Sequence, residues 1–224
     1  MKILISGATK GLGLVTAIYL KNQGHEVITI GRSNCSLTFD FTKPKEWDCI
    51  VPEVDAVIHC AGGGLGLRGP LLAADPFYDL FMTNLGGQAE INRFVLPEMM
   101  FKKQGFIVHI CSIASGEAIG SVGYNTMKAA LAAYVRSLGR EMAPYGVVVS
   151  GIAPGGFTAP GNAMERLEGS NPSAYAEFVN QRLPRGFMGR AEELLPMITF
   201  LISKEASMMG GCVVPMDAGE GRYY

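Results

Sequence analysis

The amino-acid sequence predicts an α/β protein, a mostly parallel sheet with helices on both faces. Three observations carry that prediction. Short apolar runs rich in β-branched residues alternate with longer segments of helical periodicity through the 224 residues. The strand-like runs are apolar throughout, as strands covered on both faces are. A glycine-rich turn stands at the first junction between strand and helix.

Taken in order, Lys2–Ser6 predicts the first strand and is closed by Gly7. Leu12–Asn22 has helical periodicity and stops near Gly24. Glu26–Ile30 predicts a strand, Ser36–Phe39 a weaker one, and Asp55–Cys60, preceded by Pro52, a clear one. A long helical stretch covers 76–103, where Pro97 is expected to kink or split it. Phe106–Cys111 then reads as a strand, the alanine-rich Val122–Ala143 as a helix and Val147–Ile152 as a strand. Glu192–Ile202 predicts the next helix and Cys212–Met216 the last strand.

Without an internal repeat, low-complexity segment or linker, residues 1–224 read as a single domain. Only 154–172 interrupts the alternation, with Pro154, Gly155, Gly156, Pro160, Gly161, Gly169 and Pro172. That density of breakers predicts an irregular loop, either a mobile lid over a substrate, reaching to 182, or a surface excursion.

Composition bounds the function. Hydrophobic residues make up 48% and charged residues 17%, with a net charge of −1, so neither a basic stripe for nucleic acid nor an acidic tail is present. Cys35, Cys49, Cys60, Cys111 and Cys212 are scattered, which reads as reduced thiols in the cytoplasm. No apolar run reaches the length of a membrane span, and no cluster has metal-ligand spacing.

Three features carry chemistry. Ser6-Gly7-Ala8-Thr9-Lys10-Gly11-Leu12-Gly13 joins strand to helix. Glycines there let the backbone approach a phosphate, and a helix start turns free N–H groups toward it. Tyr124 and Lys128 lie four apart, so they share a helix face. An ammonium beside a phenol stabilises the phenolate, which suits proton exchange with a carbonyl or an alcohol. A solvated tyrosine and lysine would have the same spacing. Ser112 ends a strand on the side where parallel sheets bind ligands, so its hydroxyl either orients a substrate oxygen or caps the strand. Ser115 suits either job from further into the loop.

Together these residues resemble the short-chain dehydrogenase/reductase family over nearly the whole chain, which implies a doubly wound, Rossmann-type sheet. The turn at 6–13 is similar to that family's T-G-x-x-x-G-x-G, with Ser6 for the leading threonine. Asn84 in Asn84-Leu85-Gly86-Gly87, then Ser112, Tyr124 and Lys128, match its catalytic positions. Ala153-Pro154-Gly155, Gly189-Arg190-Ala191-Glu192-Glu193 and Met216-Asp217-Ala218-Gly219 match its later segments. The resemblance implies hydride transfer to or from a nicotinamide while Tyr124 moves the proton. It further implies that Ser112 orients the carbonyl, Lys128 holds the ribose and Asn84 anchors a relay water. The implied cofactor contacts are Gly7, Thr9, Lys10, Gly11, Leu12, Gly13, Arg32, Ser33, Asp40, Ala61, Gly62, Tyr124, Lys128, Pro154 and Gly155.

The sequence departs from the family in three places. His59-Cys60-Ala61-Gly62 stands where two asparagines usually precede Ala-Gly, and His59 is expected to be a sheet-end histidine rather than a cofactor contact. The interval from Ser112 to Tyr124 is one residue short. The stretch between Arg32 and the strand at 55 is compressed, which predicts an open or rebuilt adenine pocket with Asp40 as its acid.

Ile30-Gly31-Arg32-Ser33-Asn34 offers no carboxylate to a ribose 2′-hydroxyl, while Arg32, Ser33, Asn34 and Lys10 suit a 2′-phosphate. NADP(H) is therefore expected over NAD(H), unless Arg32 and Lys10 are ordinary solvated charges. The expected protein is a carbonyl/alcohol oxidoreductase acting on a small molecule. A non-enzymatic NADP(H)-binding sensor and a sugar-nucleotide-modifying enzyme remain as rivals. The family implies a homo-oligomer, tetramer or dimer. The apolar face of 122–143, Met208, Met209, Met216 and the tail residues Tyr223 and Tyr224 are candidate contacts. Phe157, Met164, Leu167, Tyr175 and Phe178 are candidate pocket residues, and Arg166 and Arg182 either meet an acidic group or face water.

Overall fold

A computed structural model describes residues 1–43 and 51–222. Cys49, Tyr223 and Tyr224 lie outside the described residues. The apolar runs become β1 (Lys2–Ser6), β2 (Glu26–Gly31), β3 (Leu37–Thr38), β4 (Ala56–His59), β5 (Gly105–Ile110) and β6 (Val147–Pro154). A separate parallel pair, β7 (Phe157–Thr158) and β8 (Gly189–Arg190), precedes β9 (Val213–Met216). The main sheet has the order β3-β2-β1-β4-β5-β6-β9, with parallel pairing throughout. The order reverses at β1, so a crevice opens beyond the carboxyl ends of β1 and β4.

Side-chain alternation assigns the two faces. Ile3 and Ile5 of β1 point to the side covered by α1 (Gly11–Asn22) and α7 (Leu195–Leu201), where they join Leu12, Leu20, Ile58, Val108, Ile198 and Leu201 in one core. Leu4 points the other way and packs with Val57, Ile107 and Val149 against Ile91, Val95 and Met99 of α3 (Gly87–Lys102). Leu131, Ala132 and Val135 of α4 (Val122–Met142) extend that layer toward Cys111 and Ala153. The doubly wound fold is therefore as expected.

Two local expectations are corrected. The stretch 76–103 is divided, but at a π-helical turn, Met82–Gly86, between α2 (Ala74–Phe81) and α3. Pro97 sits inside α3. It is exposed, as is Arg93, whose carbonyl loses an N–H partner there, so water can satisfy that group. The breaker-rich segment is not an irregular loop, because it folds into α5 (Ala163–Ser170) and α6 (Pro172–Arg182). Asn162 caps α5 by accepting from Glu165 N, Asn171 caps α6 by accepting from Ala174 N, and Pro172 opens α6 where a missing N–H costs nothing.

A buried polar cluster lies between the sheet and the α3–α4 layer. His59 and His109 are register partners on β4 and β5, wholly buried, with rings stacked at 4.6 Å. His59 Nε2 stands 2.8 Å from Asn92 Oδ1, and its Nδ1 stands 3.3 Å from Ser6 Oγ. His109 Nδ1 stands 2.7 Å from Gln88 Oε1, while Asn92 Nδ2 is shared between His109 Nε2 at 3.4 Å and the Tyr134 hydroxyl at 3.1 Å. Each ring is satisfied as a neutral tautomer that donates from one nitrogen and accepts at the other. The expectation that His59 is a structural histidine fits this geometry, though it belongs to a network and not to a bare sheet end.

Burial lowers the pKa of His59 to about 4, with the Asn92 hydrogen bond opposing the shift. Burial also holds His109 well below its ordinary value, helped by the nearby His59 and Lys128. Both groups therefore bind protons less readily in the folded chain than in the unfolded one. Their contribution to stability is complete above the unfolded value of about 6.5 and is lost as pH falls below it. Urea unfolding at pH 7.5, 6 and 5 should show stability falling by roughly 1 kcal/mol or more per histidine per pH unit in the lower range. His109→Gln should make that fall shallower; an identical slope in the variant would remove the histidines as its cause.

Candidate active site

The turn between β1 and α1 is built for close approach. Gly7 and Gly11 have φ of +72° and +63°, the left-handed region that favours glycine. A Cβ on Gly7 would stand 2.6 Å from Ala61 N, and one on Gly13 would collide with the Gly7 carbonyl oxygen. No side chain caps the start of α1, and no acidic residue occupies its first turn. These uncapped N–H groups, with the open space around Gly11, fit the diphosphate of a dinucleotide. Gly11 N itself donates to Pro160 O at 2.6 Å, so the stretch leading into α5 is pinned over the turn.

Beyond β4, the loop from Ala61 to Gly64 is held by side chains behind it. Gln88 Nε2 donates to Ala61 O at 2.8 Å. Asn84, wholly buried in the π-helical turn, accepts from Gly63 N and donates to Gly63 O, both at 2.9 Å, and donates to Leu80 O. A Cβ on Gly62 would stand 3.0 Å from Asn84 Oδ1 and 3.3 Å from Lys128 Nζ, so both polar atoms face that glycine.

Lys128 is 4% exposed, and its Nζ donates to Ile110 O at 2.7 Å, which fixes the ammonium at the end of β5. It lies 5.8 Å from the centre of the Tyr124 ring. The ring packs on Gly120, where a Cβ would meet Tyr124 Cδ1 at 2.8 Å. Asn125 braces this loop by accepting from Gly120 N and donating to Glu117 O. Ser112 Oγ accepts from Ala114 N at 3.1 Å, so the hydroxyl caps a turn yet keeps its proton to donate. Ser115 Oγ is buried without a partner.

Asn84, Gly62 and Lys128 are thus brought together beside Tyr124, with Ser112 at the end of β5 ahead of it. Arg32, Ser33, Thr9 and Lys10 are exposed at the β1–β2 side. Thr29 Oγ1 and Ser36 brace the base of the 32–35 loop through Ser36 N to Thr29 Oγ1 at 2.9 Å. Asp40 Oδ1 accepts from Thr42 N and Thr42 Oγ1, at 3.0 and 2.8 Å. Pro154 ends β6, and Gly155 follows it against Asp217 and Glu220. Sequence reasoning missed Gln88, Asn125 and Glu220, because their partners lie across a loop or a sheet. Arg182 is paired with Glu220, so it faces neither a free acid nor bulk water alone. Among the described residues no group of three or more His, Cys, Asp or Glu could hold a metal ion, and no helix is long and apolar enough to cross a membrane.

Comparison with known proteins bears on the fold and the family. A family model described as enoyl-(acyl carrier protein) reductase matches residues 44–220. Gluconate 5-dehydrogenase of Gluconobacter oxydans is 28% identical over 97% of this chain and 93% of its own. The 3-oxoacyl-(acyl-carrier-protein) reductase of Salmonella typhimurium is 28% identical over 96% and 95%. A solved 3-oxoacyl-(acyl-carrier-protein) reductase from Agrobacterium tumefaciens, with NADP bound, shares the fold with a TM-score of 0.85 at 23% identity, covering 97% of this chain and 93% of that one.

The glycine turn gives a direct test. Gly13→Ala should destabilise the chain by about 1–3 kcal/mol, since its methyl meets backbone and not a movable side chain. Gly169→Ala, in open space near the end of α5, should be neutral or stabilising. Equal unfolding midpoints for the two variants would contradict the close packing at Gly13.

Proposed function

The chain belongs to the short-chain dehydrogenase/reductase family of NAD(P)-dependent enzymes, and from that premise we propose that it interconverts a carbonyl and an alcohol with NADP(H). The observation that carries the reading is the convergence of Gly62, Asn84 and Lys128 beside Tyr124, at the carboxyl ends of β4 and β5. When bound, the nicotinamide supplies the hydride or takes it up.

The chain's own residues do the rest. Tyr124 gives its phenolic proton to the carbonyl oxygen, or accepts one from the alcohol. Ser112, with its Oγ already accepting from Ala114 N, donates its proton to the same oxygen and orients it. Lys128, clamped by Ile110 O, lies beside the phenol and would reach the ribose side. Asn84 Oδ1 takes one N–H from Gly63 and has a second lone pair, which we assign to the relay water on the Lys128 side.

Gly7, Thr9, Lys10, Gly11, Leu12 and Gly13 would cradle the diphosphate, and Ala61, Gly62, Pro154 and Gly155 would line the nicotinamide half. Arg32 and Ser33, with Lys10 nearby, would pair with a 2′-phosphate that a carboxylate would repel, and Asp40 would lie toward the adenine. Residues 154–182, with α5 and α6, serve as the substrate lid of a single domain. A homo-oligomer, dimer or tetramer, in the cytoplasm accords with exposed Val122 on α4 and with free thiols at Cys35, Cys60, Cys111 and Cys212.

Tyr124→Phe should lower turnover on a carbonyl panel by roughly 10²–10⁴-fold, while NADPH affinity in a fluorescence titration should fall by far less. Arg32→Asp should cut the preference for NADPH over NADH by about tenfold or more, a change on the order of 1.4 kcal/mol. Turnover surviving in Tyr124→Phe would sink the proton assignment. Equal or tighter binding of NADH by the unmodified protein would sink the cofactor assignment.

A further inference from the structure

Glu220 is a carboxylate with a buried side chain, 2% exposed, and the chemistry above gives it no task. The turn Asp217–Gly221 throws it inward. Ala218 and Gly219 take φ of +52° and +85°, while Asp217 accepts from Gly219 N at 2.9 Å and from Gly221 N at 3.0 Å. Its two oxygens reach different elements. Oε2 accepts from Gly156 N at 2.6 Å, and Oε1 accepts from Arg182 Nη2 at 3.2 Å. Gly156 follows Pro154 and Gly155 out of β6, and a Cβ on it would meet Met188, Phe178 and Leu183 at 3.0–3.3 Å. One side chain therefore ties the exit of β6, the last residue of α6 and the segment after β9.

Resting on the oxidoreductase reading, we propose that Glu220 is a positioning residue that latches α6 over the substrate site through Arg182 and so sets substrate affinity. The latch closes the far end of the lid, whose near end is held by Pro160 O on Gly11 N. A buried carboxylate deprived of its cation is strongly disfavoured, so loss of Arg182 frees α6 and leaves Glu220 without its partner. Burial raises the Glu220 carboxyl above its ordinary value; the Gly156 N–H and Arg182 oppose the shift, and Asp217 and Glu117 add to it. Acid therefore loosens the latch before it neutralises ordinary surface carboxylates.

The test uses the full chain and the variants Glu220→Gln, Arg182→Met and Arg182→Lys. Glu220→Gln keeps an acceptor for Gly156 N but removes the charge, and with Arg182→Met in the same chain no unpaired buried charge is left, so the double variant separates loss of the latch from loss of folding. Hydrogen exchange of 172–182 should quicken by about tenfold or more in Glu220→Gln and Arg182→Met, and stay near the unmodified rate in Arg182→Lys. The KM for a carbonyl substrate that the protein reduces should rise at least ~5-fold in the first two, with kcat within about twofold. The double variant Glu220→Gln/Arg182→Met should add little to either single change. Unchanged exchange in both charge-removing variants, or equal loosening in Arg182→Lys, would overturn the latch. Quickened exchange in a protein that turns over no carbonyl would support the latch and count against the oxidoreductase reading.

Discussion

Where the strand order reverses, two backbone segments approach one another without side chains between them. A Cβ on Gly7 would stand 2.6 Å from Ala61 N, and one on Gly13 would overlap the Gly7 carbonyl oxygen. The start of α1, which no side chain caps, is thereby drawn toward the crevice beside β4. A larger residue at Gly13 would push α1 off the turn, and one at Gly7 would push the turn off the segment that follows β4. The rest of the site is arranged around this contact.

Rigidity behind the crevice comes from side-chain amides in place of regular pairing. Gln88 holds the Ala61 carbonyl, and Asn84 holds the Gly63 peptide at both its N–H and its carbonyl. Gln88 is itself fixed by His109, and His109 by Asn92, which also binds His59 and Tyr134. The wall that faces Lys128 is thus continuous with a polar network buried across β4, β5, α3 and α4. Such a network is stable only when each donor and acceptor is met, and neutral histidines meet that condition. Asn84 and Gln88 are four residues apart and so share a face, from which both reach the loop after β4.

Much of this was legible in the sequence because burial on both faces writes a plain pattern. Each predicted main-sheet strand overlaps an observed one, and even the weak Ser36–Phe39 run appears as the two-residue β3. Tyr124 and Lys128, singled out by type and spacing, and Asn84, singled out by the family resemblance, converge because α2, α4 and the π-helical turn share one face of the sheet. The helices within 154–182 were not foreseen because glycine and proline were counted without their positions: Pro172 begins a helix, and Asn162 and Asn171 are caps. His59 and His109 are fifty residues apart in order and meet only through the register of β4 on β5. Arg182 and Glu220 meet only once α6 and the segment after β9 are placed, so no local pattern announces them.

The compression between β2 and β4 has its own physical consequence. Parallel neighbours ordinarily need a crossover of about a dozen residues or more. Here Ile30 already pairs with Leu37, so Arg32 to Ser36 must turn out and back within one short loop. Asn34 takes φ of +52° to do so, and Thr29 and Ser36 close the base by three hydrogen bonds. No helix stands between β2 and β3, so Arg32 and Ser33 are carried on a braced, exposed loop. Asp40 is held by Thr42 just beyond it. On the proposed reading, discrimination at the ribose rests on the placement of one guanidinium by that brace, and less on enclosure of the adenine. A loop so short has few alternative conformations to lose when a phosphate binds, which favours selectivity from a site that buries little surface.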